Sequence, residues 1–542
     1  MQVTLTTMKK IIPLFLLLQL LAFSSRAQDK AQSTEPVKTL AQNRHEEAAF
    51  IYHIINDVYV DPDRCSTRAQ RDSIFQYIDS QITSAHNLNY VLSWRYFSKM
   101  IKDGHFQFPD VGVYNRNKWF KPEDLVFPVF PKITQDGRVF VITDYIGQLP
   151  KYSEITSING IPVQKLAKKQ VEVTYCAPLY ARAWMNSQVE GDSREWNNFT
   201  GYLFCESIKP PYSIEYKVYS DTTFTSFETK TATLQGIGRK EKYQLYKQNG
   251  DVKIKKHENA FNLHNKSLSY YKLNDSIGVL DINLFYSKEF TTIFFMKNDN
   301  AYKDRIEECM KQVHQDGVTN LIVDIRNNPG GYAGDVFETL NYFLDSSLPI
   351  KEFFRASSYS KKDGLLLLKN TYEMYYNSEC LGKKEKDSIN NLINKSVEIF
   401  KNTPDGKYFR LDTLLKTEYV HSETKYPFKG KLYVATNNLS FSACMLFCNL
   451  LKAAGRATFI GETPGEYLLT TGGPRVFVKL PYNSYITMQV PYTYVAVTDK
   501  NGNIINNGHQ NLKIDMPIKP TLYEWLKGDE GYLFRNFLNR NK

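Results

Sequence analysis

The chain lacks an apolar run long enough to cross a bilayer as a helix. Ile11 to Phe23 is broken by Pro13 and Gln19 and falls short of the roughly 20 residues a span requires. Cysteine is sparse and scattered: seven residues, at 65, 176, 205, 309, 380, 444 and 448, an odd count with no framework spacing. That excludes a small disulfide-stapled scaffold. It also leaves no cluster with metal-ligand spacing, so no metal and no cofactor is expected. Cys444 and Cys448 stand four apart among Met445, Leu446, Phe447 and Leu450, a core-packing pattern. No cysteine lies near Ala27, which excludes a lipid anchor there. Basic and aromatic residues never interleave as a repeat, so no nucleic-acid partner is expected. There is no internal repeat and no low-complexity linker.

The chain has 542 residues, 42% of them hydrophobic and 14% aromatic, with a formal net charge of +11 spread along the length. It is too long for one ordinary domain and has ample material for several cores. Short basic clusters such as Lys361-Lys362 and Lys383 to Lys386 fit solvated surfaces. Met8, Lys9 and Lys10 lead into the apolar run and then Ser24, Ser25, Arg26 and Ala27, the layout of a secretory signal peptide over 1–27 cleaved after Ala27. The expectation is an exported protein, periplasmic or at the cell surface, with no stable membrane span after cleavage.

Leu321 to Asp335, LIVDIRNNPGGYAGD, is the most informative stretch. Val318, Leu321, Ile322, Val323 and Ile325 predict a buried strand, which runs into paired glycines beside an arginine and two asparagines. Gly330 and Gly331 let backbone N–H groups approach a substrate oxygen with no Cβ in the way. Alone, such a turn is strand-to-loop punctuation. A second segment changes its meaning. Leu432 to Thr436 predicts a strand that breaks at Asn437 and Asn438, and a helix begins near Ser442 and ends at Gly455. Alone, Ser440 or Ser442 would be an N-cap. Free N–H groups and the helix dipole at that point also favour an anion beside the serine oxygen.

Together the two segments resemble peptidase family S41, which includes the C-terminal processing and tricorn-like serine peptidases. Asp324, Ile325, Arg326, Asn328, Gly330 and Gly331 match its D-[LI]-R-x-N-x-G-G turn, and Ser440, Phe441, Ser442 and Ala443 match its S-x-S-A turn. Gly455, Arg456, Ala457, Gly461, Glu462 and Gly465 match the following G-R-A and G-E-x-x-G landmarks. The resemblance implies Ser442 as nucleophile, with an oxyanion hole built from the N–H of Ala443 and that of Gly330 or Gly331. The processing branch activates its serine with a lysine in the register just after Gly465. Here that register reads Glu466, Tyr467, Leu468. The tricorn-like branch uses a histidine in a D-G-H-[ST] motif, matched by Asp103, Gly104 and His105 after the helix-like run Tyr90 to Ile101, with Phe106 at the last place. His105 is the implied general base. The third member, a glutamate in the family, corresponds by position to Asn506 in Gly502 to Asp515, where Ile514 also replaces a proline. An asparagine orients an imidazole but adds no charge. Asp103 or Asp499 could substitute for it.

The expected architecture is multidomain α/β (α+β), with a crotonase-like core of mixed sheet and helices implied by the resemblance. Residues 28–115 form a helical region, with apolar spacing at Phe50, Ile51, Ile54, Ile55 and Val58 and again at Ile74, Tyr77, Ile78 and Ile82. Residues 116–274 are β-rich. Within them Glu154 to Val163 resembles a PDZ signature, placing a PDZ-like module at 126–170, with an ordinary Asn-Gly β-turn between strands as the plainer reading of the same residues. The catalytic core covers 275–525, with strands at Ile277 to Ile282, Asn320 to Ile325, Lys431 to Thr436 and Thr458 to Ile460. An insertion occupies 351–427, and residues 526–542 form a tail. The implied activity is an exported serine endopeptidase acting on a peptide or unfolded protein substrate. The alternatives are a pseudo-peptidase that binds peptides without turnover, favoured by Asn506, and an envelope structural protein, for which only the tyrosine content speaks.

Overall fold

The computed structural model describes residues 38–84, 96–106, 123–174, 177–187, 199–248, 268–285, 301–365, 382–410, 418–468, 471, 475–482, 487–498, 503–504 and 510–540. The signal-peptide segment, Asp499, Asn506 and the first half of the run from Tyr90 lie outside the described residues. Among them no helix is long and apolar enough to cross a membrane.

The N-terminal layer holds two helices, α1 (Leu40–His53) and α2 (Arg68–Ser84). Thr39 caps α1 reciprocally with Gln42, satisfying donors that the first turn leaves open. The helix runs on through a π-turn at Ile54–Val58, which turns Ile54, Ile55 and Val58 into a fully buried stripe. From Tyr96, which is helical, the backbone passes through a short 3₁₀ turn at Phe97–Lys99 and then a bend that carries His105.

The β module is an antiparallel sheet in the order β1 (Val129–Ile133), β2 (Val139–Asp144), β3 (Glu154–Ile158), β4 (Tyr212–Tyr219) and β5 (Phe227–Leu234). Alternating burial along β4 puts Tyr212, Ile214 and Tyr216 against α3 (Val163–Glu172), the period-2 pattern of a half-covered sheet. Glu154 to Val163 is a tight hairpin turning at Asn159 and Gly160, both at positive φ. This is the Asn-Gly turn geometry read from the sequence. Helix α4 (Pro178–Ser187) lies along β1, where the Asn186 amide bonds both the N–H and C=O of Ile133 at 2.7 Å.

The core sheet is built from β6 (Leu268–Asn274), β7 (Ile277–Ile282), β8 (Asn320–Asp324), β10 (Lys431–Thr436), β11 (Ala457–Gly461) and β15 (Met516–Pro517). Its spatial order is β15-β11-β10-β8-β7-β6, parallel except for β6. Strands β7, β8 and β10 are nearly continuous runs of buried apolar residues because helices cover both faces. α5 (Ala301–Asp316), α6 (Ala333–Leu340) and α8 (Ala443–Ala453) pack on one face, and the C-terminal α9 (Tyr532–Arg540) on the other. The mixed α/β core and its strands lie where the sequence places them, within a residue or two.

Strand β9 (Leu348–Arg355) leaves this sheet and pairs with β14 (Thr493–Val497). Together with α7 (Lys383–Asn402) and the hairpin β12 (Arg475–Lys479) and β13 (Thr487–Pro491), it shares one apolar cluster with α1 and Phe106. That cluster seats the His105 bend beside the core sheet.

Candidate active site

The turn that carries Ser442 begins where β10 ends. Ser442 stands immediately before α8 at φ 58°, ψ −117°, a conformation that side chains rarely adopt. Its hydroxyl does not cap the helix, so the N-cap reading does not describe this serine. Instead Ser442 Oγ lies 2.8 Å from Nε2 of His105, across 337 positions of sequence. Ser440 is structural: its hydroxyl is fully buried and bonds the Ile325 carbonyl at 2.8 Å.

The asparagines of the two motifs lock the turns together. Asn328, fully buried, donates to the Ile282 carbonyl and accepts from the N–H of Gly330, each at 2.8 Å. Its own carbonyl accepts from the N–H of Phe441 at 3.0 Å. Asn437 accepts from the N–H of Asn327 at 2.9 Å and donates back to its side chain at 2.7 Å. Arg326 faces away from the serine. It forks onto Asp324 and donates to the Glu530 carbonyl at 2.9 Å, fastening the C-terminal segment to the end of β8.

Both glycines are required by space. A Cβ on Gly330, at φ 103°, would sit 2.5 Å from Cβ of Ser442, and one on Gly331, at φ 135°, 1.7 Å from the Phe285 carbonyl oxygen. The N–H of Gly330 is engaged by Asn328. Around Gly331 the parallel bridge is made by its neighbours, Phe285 N–H to Gly330 O and Tyr332 N–H to Phe285 O. The N–H of Gly331 therefore points away from that partner. The glycine N–H left for an oxyanion is that of Gly331, alongside Ala443.

Two carboxylates face the other imidazole nitrogen. Glu466 Oε1 stands 3.2 Å from Nδ1 of His105 and Asp103 Oδ1 3.5 Å. Neither Nδ1 nor Glu466 Oε1 closes a hydrogen bond in this geometry, so both acids act on the ring as charges, and such contacts commonly tighten when substrate binds. The other oxygen of Glu466 accepts from the N–H of Ser442 at 2.8 Å, so one side chain meets both Ser442 and His105. With the ring proton on Nδ1, Nε2 is the acceptor for the serine hydroxyl. Asp103, 1% exposed, accepts from the N–H of His105 at 2.9 Å, from Tyr59 Oη at 2.8 Å and from Thr471 Oγ1 at 2.5 Å. Burial pushes its carboxyl up, but the buried Arg64 guanidinium and these bonds outweigh that and hold it well below the usual range. Burial lowers the pKa of His105, and the charges of Glu466 and Asp103 overcome it to a net rise above 6.5.

Asp103, His105 and Glu466 also bring three potential metal-ligand atoms within 4.8 Å of one another. The outer atoms of the three, Nε2, Oε2 and Oδ2, are engaged by Ser442 Oγ, by the Ser442 N–H, and by Tyr59 and Thr471, while Nδ1, Oε1 and Oδ1 face one another. The set suits an imidazolium between two carboxylates. Cys444, the rival thiol, is buried with its pKa driven far up by that burial, and its Sγ rests on the Asn328 carbonyl at 3.3 Å.

Sequence reasoning thus finds Ser442, His105, Ala443 and the glycine pair at one place. Asn506, assigned there as third member, lies outside the described residues, and Glu466 faces Nδ1. The signal for Glu466 was present, an acid standing where the processing branch has its lysine.

Residues 276–508 match the model of peptidase family S41. A probable CtpA-like serine protease of Staphylococcus saprophyticus is 27% identical over 121 residues, 21% of this chain and 21% of that protein. One from Staphylococcus aureus is 32% identical over 95 residues, 18% of this chain and 16% of that protein. The chain thus matches about a fifth or less of the length of these relatives. Mature CPAF in complex with lactacystin superimposes with a TM-score of 0.57 at 12% identity, covering 92% of this chain and 97% of that one. Mature CPAF alone gives 0.56 at 12% identity, over 92% and 96%. At this identity the likeness is one of fold. Strands β7, β8, β10 and β11 of the core sheet and the turns that carry Ser442 and the glycine pair thus fall within the region that matches peptidase family S41.

Proposed function

We propose that the chain is a serine endopeptidase that hydrolyses peptide bonds through an acyl-enzyme. The observation that carries this reading is the 2.8 Å contact between Ser442 Oγ and His105 Nε2, with Glu466 on both partners. Ser442 Oγ attacks the substrate carbonyl carbon while its proton passes to Nε2. The carbonyl oxygen, now an anion, accepts from the N–H groups of Ala443 and Gly331. The C–N bond then breaks, and the proton on Nε2 leaves with the amine. Water enters, gives a proton to Nε2 as its oxygen bonds the acyl carbon, and the Oγ–acyl bond then breaks as that proton returns to Ser442 Oγ and the acid leaves. Throughout, Glu466 and Asp103 stabilise the transient imidazolium. The binding-module reading rested on Asn506 as third member; a carboxylate beside Nδ1 supports turnover instead. The layout of 1–27 supports export to a periplasm or cell surface, and the β module at 126–170 is read as a PDZ-like unit beside the core.

The test is digestion of an unfolded protein by the chain lacking residues 1–27, with the new termini identified by mass spectrometry. Internal cleavage that disappears in Ser442→Ala and His105→Ala is the expected result. Cleavage that survives Ser442→Ala, or none by a folded wild type, overturns the reading.

A further inference from the structure

Phe441 is buried, yet it lies outside the apolar clusters of both the core sheet and the N-terminal layer. Its ring is set against His105 instead, with centroids 4.7 Å apart and planes 22° from parallel. We propose that Phe441 is a positioning residue for the base, its ring fixing the imidazole plane and stabilising the imidazolium that forms as Ser442 attacks. The inference rests on the serine-peptidase reading of the same site.

Two physical arguments support it. The first is rigidity. The N–H of Phe441 is held by the Asn328 carbonyl at 3.0 Å, and Asn328 is itself held by Ile282 and Gly330. The ring is therefore fixed by the same interlocked turns that place Ser442, and nucleophile and stacking face move as one unit. Ser442 at Nε2 and Glu466 and Asp103 at Nδ1 meet the imidazole along its edge, and the phenyl ring meets its face. The edge contacts and the Cβ–Cγ bond set the ring's position, and the stacked face limits its tilt out of that plane. The second is charge. An aromatic face attracts a cation within about 6 Å of its centroid, more strongly when water is excluded, and His105 is 4% exposed. The charged groups facing the ring are Glu466 and Asp103, with Arg64 and Arg475 acting on Asp103 from behind. The phenyl face adds a stabilisation of the same sign as the carboxylates, from the direction they leave open.

The test pairs Phe441→Leu, which keeps apolar bulk and removes the π face, with Phe441→Tyr, which keeps the face. Two quantities are read: the rate of fluorophosphonate labelling at Ser442 against pH, and the titration of the His105 ring by NMR in proteins also carrying Ser442→Ala. For Phe441→Leu the His105 midpoint falls by roughly 0.5–1 pH unit and plateau labelling falls about tenfold. Phe441→Tyr follows the wild type in both, and KM for peptide stays unchanged while kcat drops only in the leucine variant. A leucine variant that titrates and labels as wild type overturns the proposal. Equal loss in both variants also overturns it, because it assigns Phe441 to packing alone. A wild type that takes no label at Ser442 defeats the peptidase reading instead, and the NMR titration still decides whether the ring acts on His105.

Discussion

Glu466 touches both halves of the nucleophile-base pair, and its loss separates their contributions. His105 is an active base only when neutral, and its folded pKa is raised above 6.5 first by Glu466 and then by Asp103, against burial. Acylation therefore rises with pH through a midpoint above 6.5. Glu466→Gln removes the largest raising charge, so the midpoint moves down while the plateau rate falls roughly 10²- to 10³-fold, since the imidazolium loses its counter-charge. A pH–rate profile of both proteins checks the two effects, and a midpoint unmoved by the substitution would remove Glu466 from the mechanism. Ser442 and His105 were legible in the sequence because each lies in a short motif whose neighbours build its conformation. Glu466 was visible in the sequence as an acid in the lysine register, but not as the partner of His105. Its place beside Nδ1 depends on how the segment after β11 folds back over α8, and spacing carried from the family pointed to Asn506.

At the scale of elements, the site is two loops clasped at the carboxyl ends of β8 and β10, joined by Asn327, Asn328 and Asn437. Gly330→Ala meets both a positive φ and a Cβ overlap with Ser442 and the N–H of Ala443. The expected result is loss of Ser442 labelling by more than 100-fold with the fold retained, read by circular dichroism beside the labelling assay; normal labelling would show that the turn is free to shift. Asn328→Ala strands the Gly330 N–H and the Ile282 carbonyl in a buried place, a cost of roughly 2–4 kcal/mol. A thermal transition lowered by several degrees is expected, and an unchanged one would contradict the clasp. The strands of the core were legible because apolar β-branched runs such as Leu321 to Ile325 exceed what a one-sided strand needs. The helix-like run Tyr90 to Ile101 read before His105 is described only from Tyr96, which is helical and leads into the 3₁₀ turn Phe97–Lys99. The shape of the bend that follows is set by what Asp103 bonds, not by local periodicity.

Across the whole molecule, the site exists only where separate layers meet. Tyr59, Arg64, Asp103 and His105 come from the N-terminal layer, Ser442 from the core sheet, and Glu466 and Thr471 from the segment after β11. Asp103 fastens this junction, and two linkage effects follow. Its folded pKa is depressed, so the stability it contributes is present above its unfolded value and lost as pH falls through the folded one. The folded pKa of His105 is raised, so its contribution is fully present below 6.5 and lost as pH rises through the folded value. The thermal transition should therefore peak between about pH 4 and 6.5, and Asp103→Asn should lower the peak and flatten its acid side. Differential scanning fluorimetry from acid to alkaline pH reads both, and a variant profile parallel to the wild type would exclude Asp103 as the fastening. This meeting of layers was only partly legible. Motif order showed which residues belong together, but the shared packing of α1, α7 and the β12–β13 hairpin depends on contacts between distant segments.

The most direct measurement is fluorophosphonate labelling of the chain lacking residues 1–27, with the adduct mapped by mass spectrometry beside Ser442→Ala, His105→Ala and Glu466→Gln. An adduct on Ser442, absent in the first two variants and slowed in the third, is the predicted result. A folded wild type with no adduct at Ser442, or one whose labelling is indifferent to His105, would contradict the account.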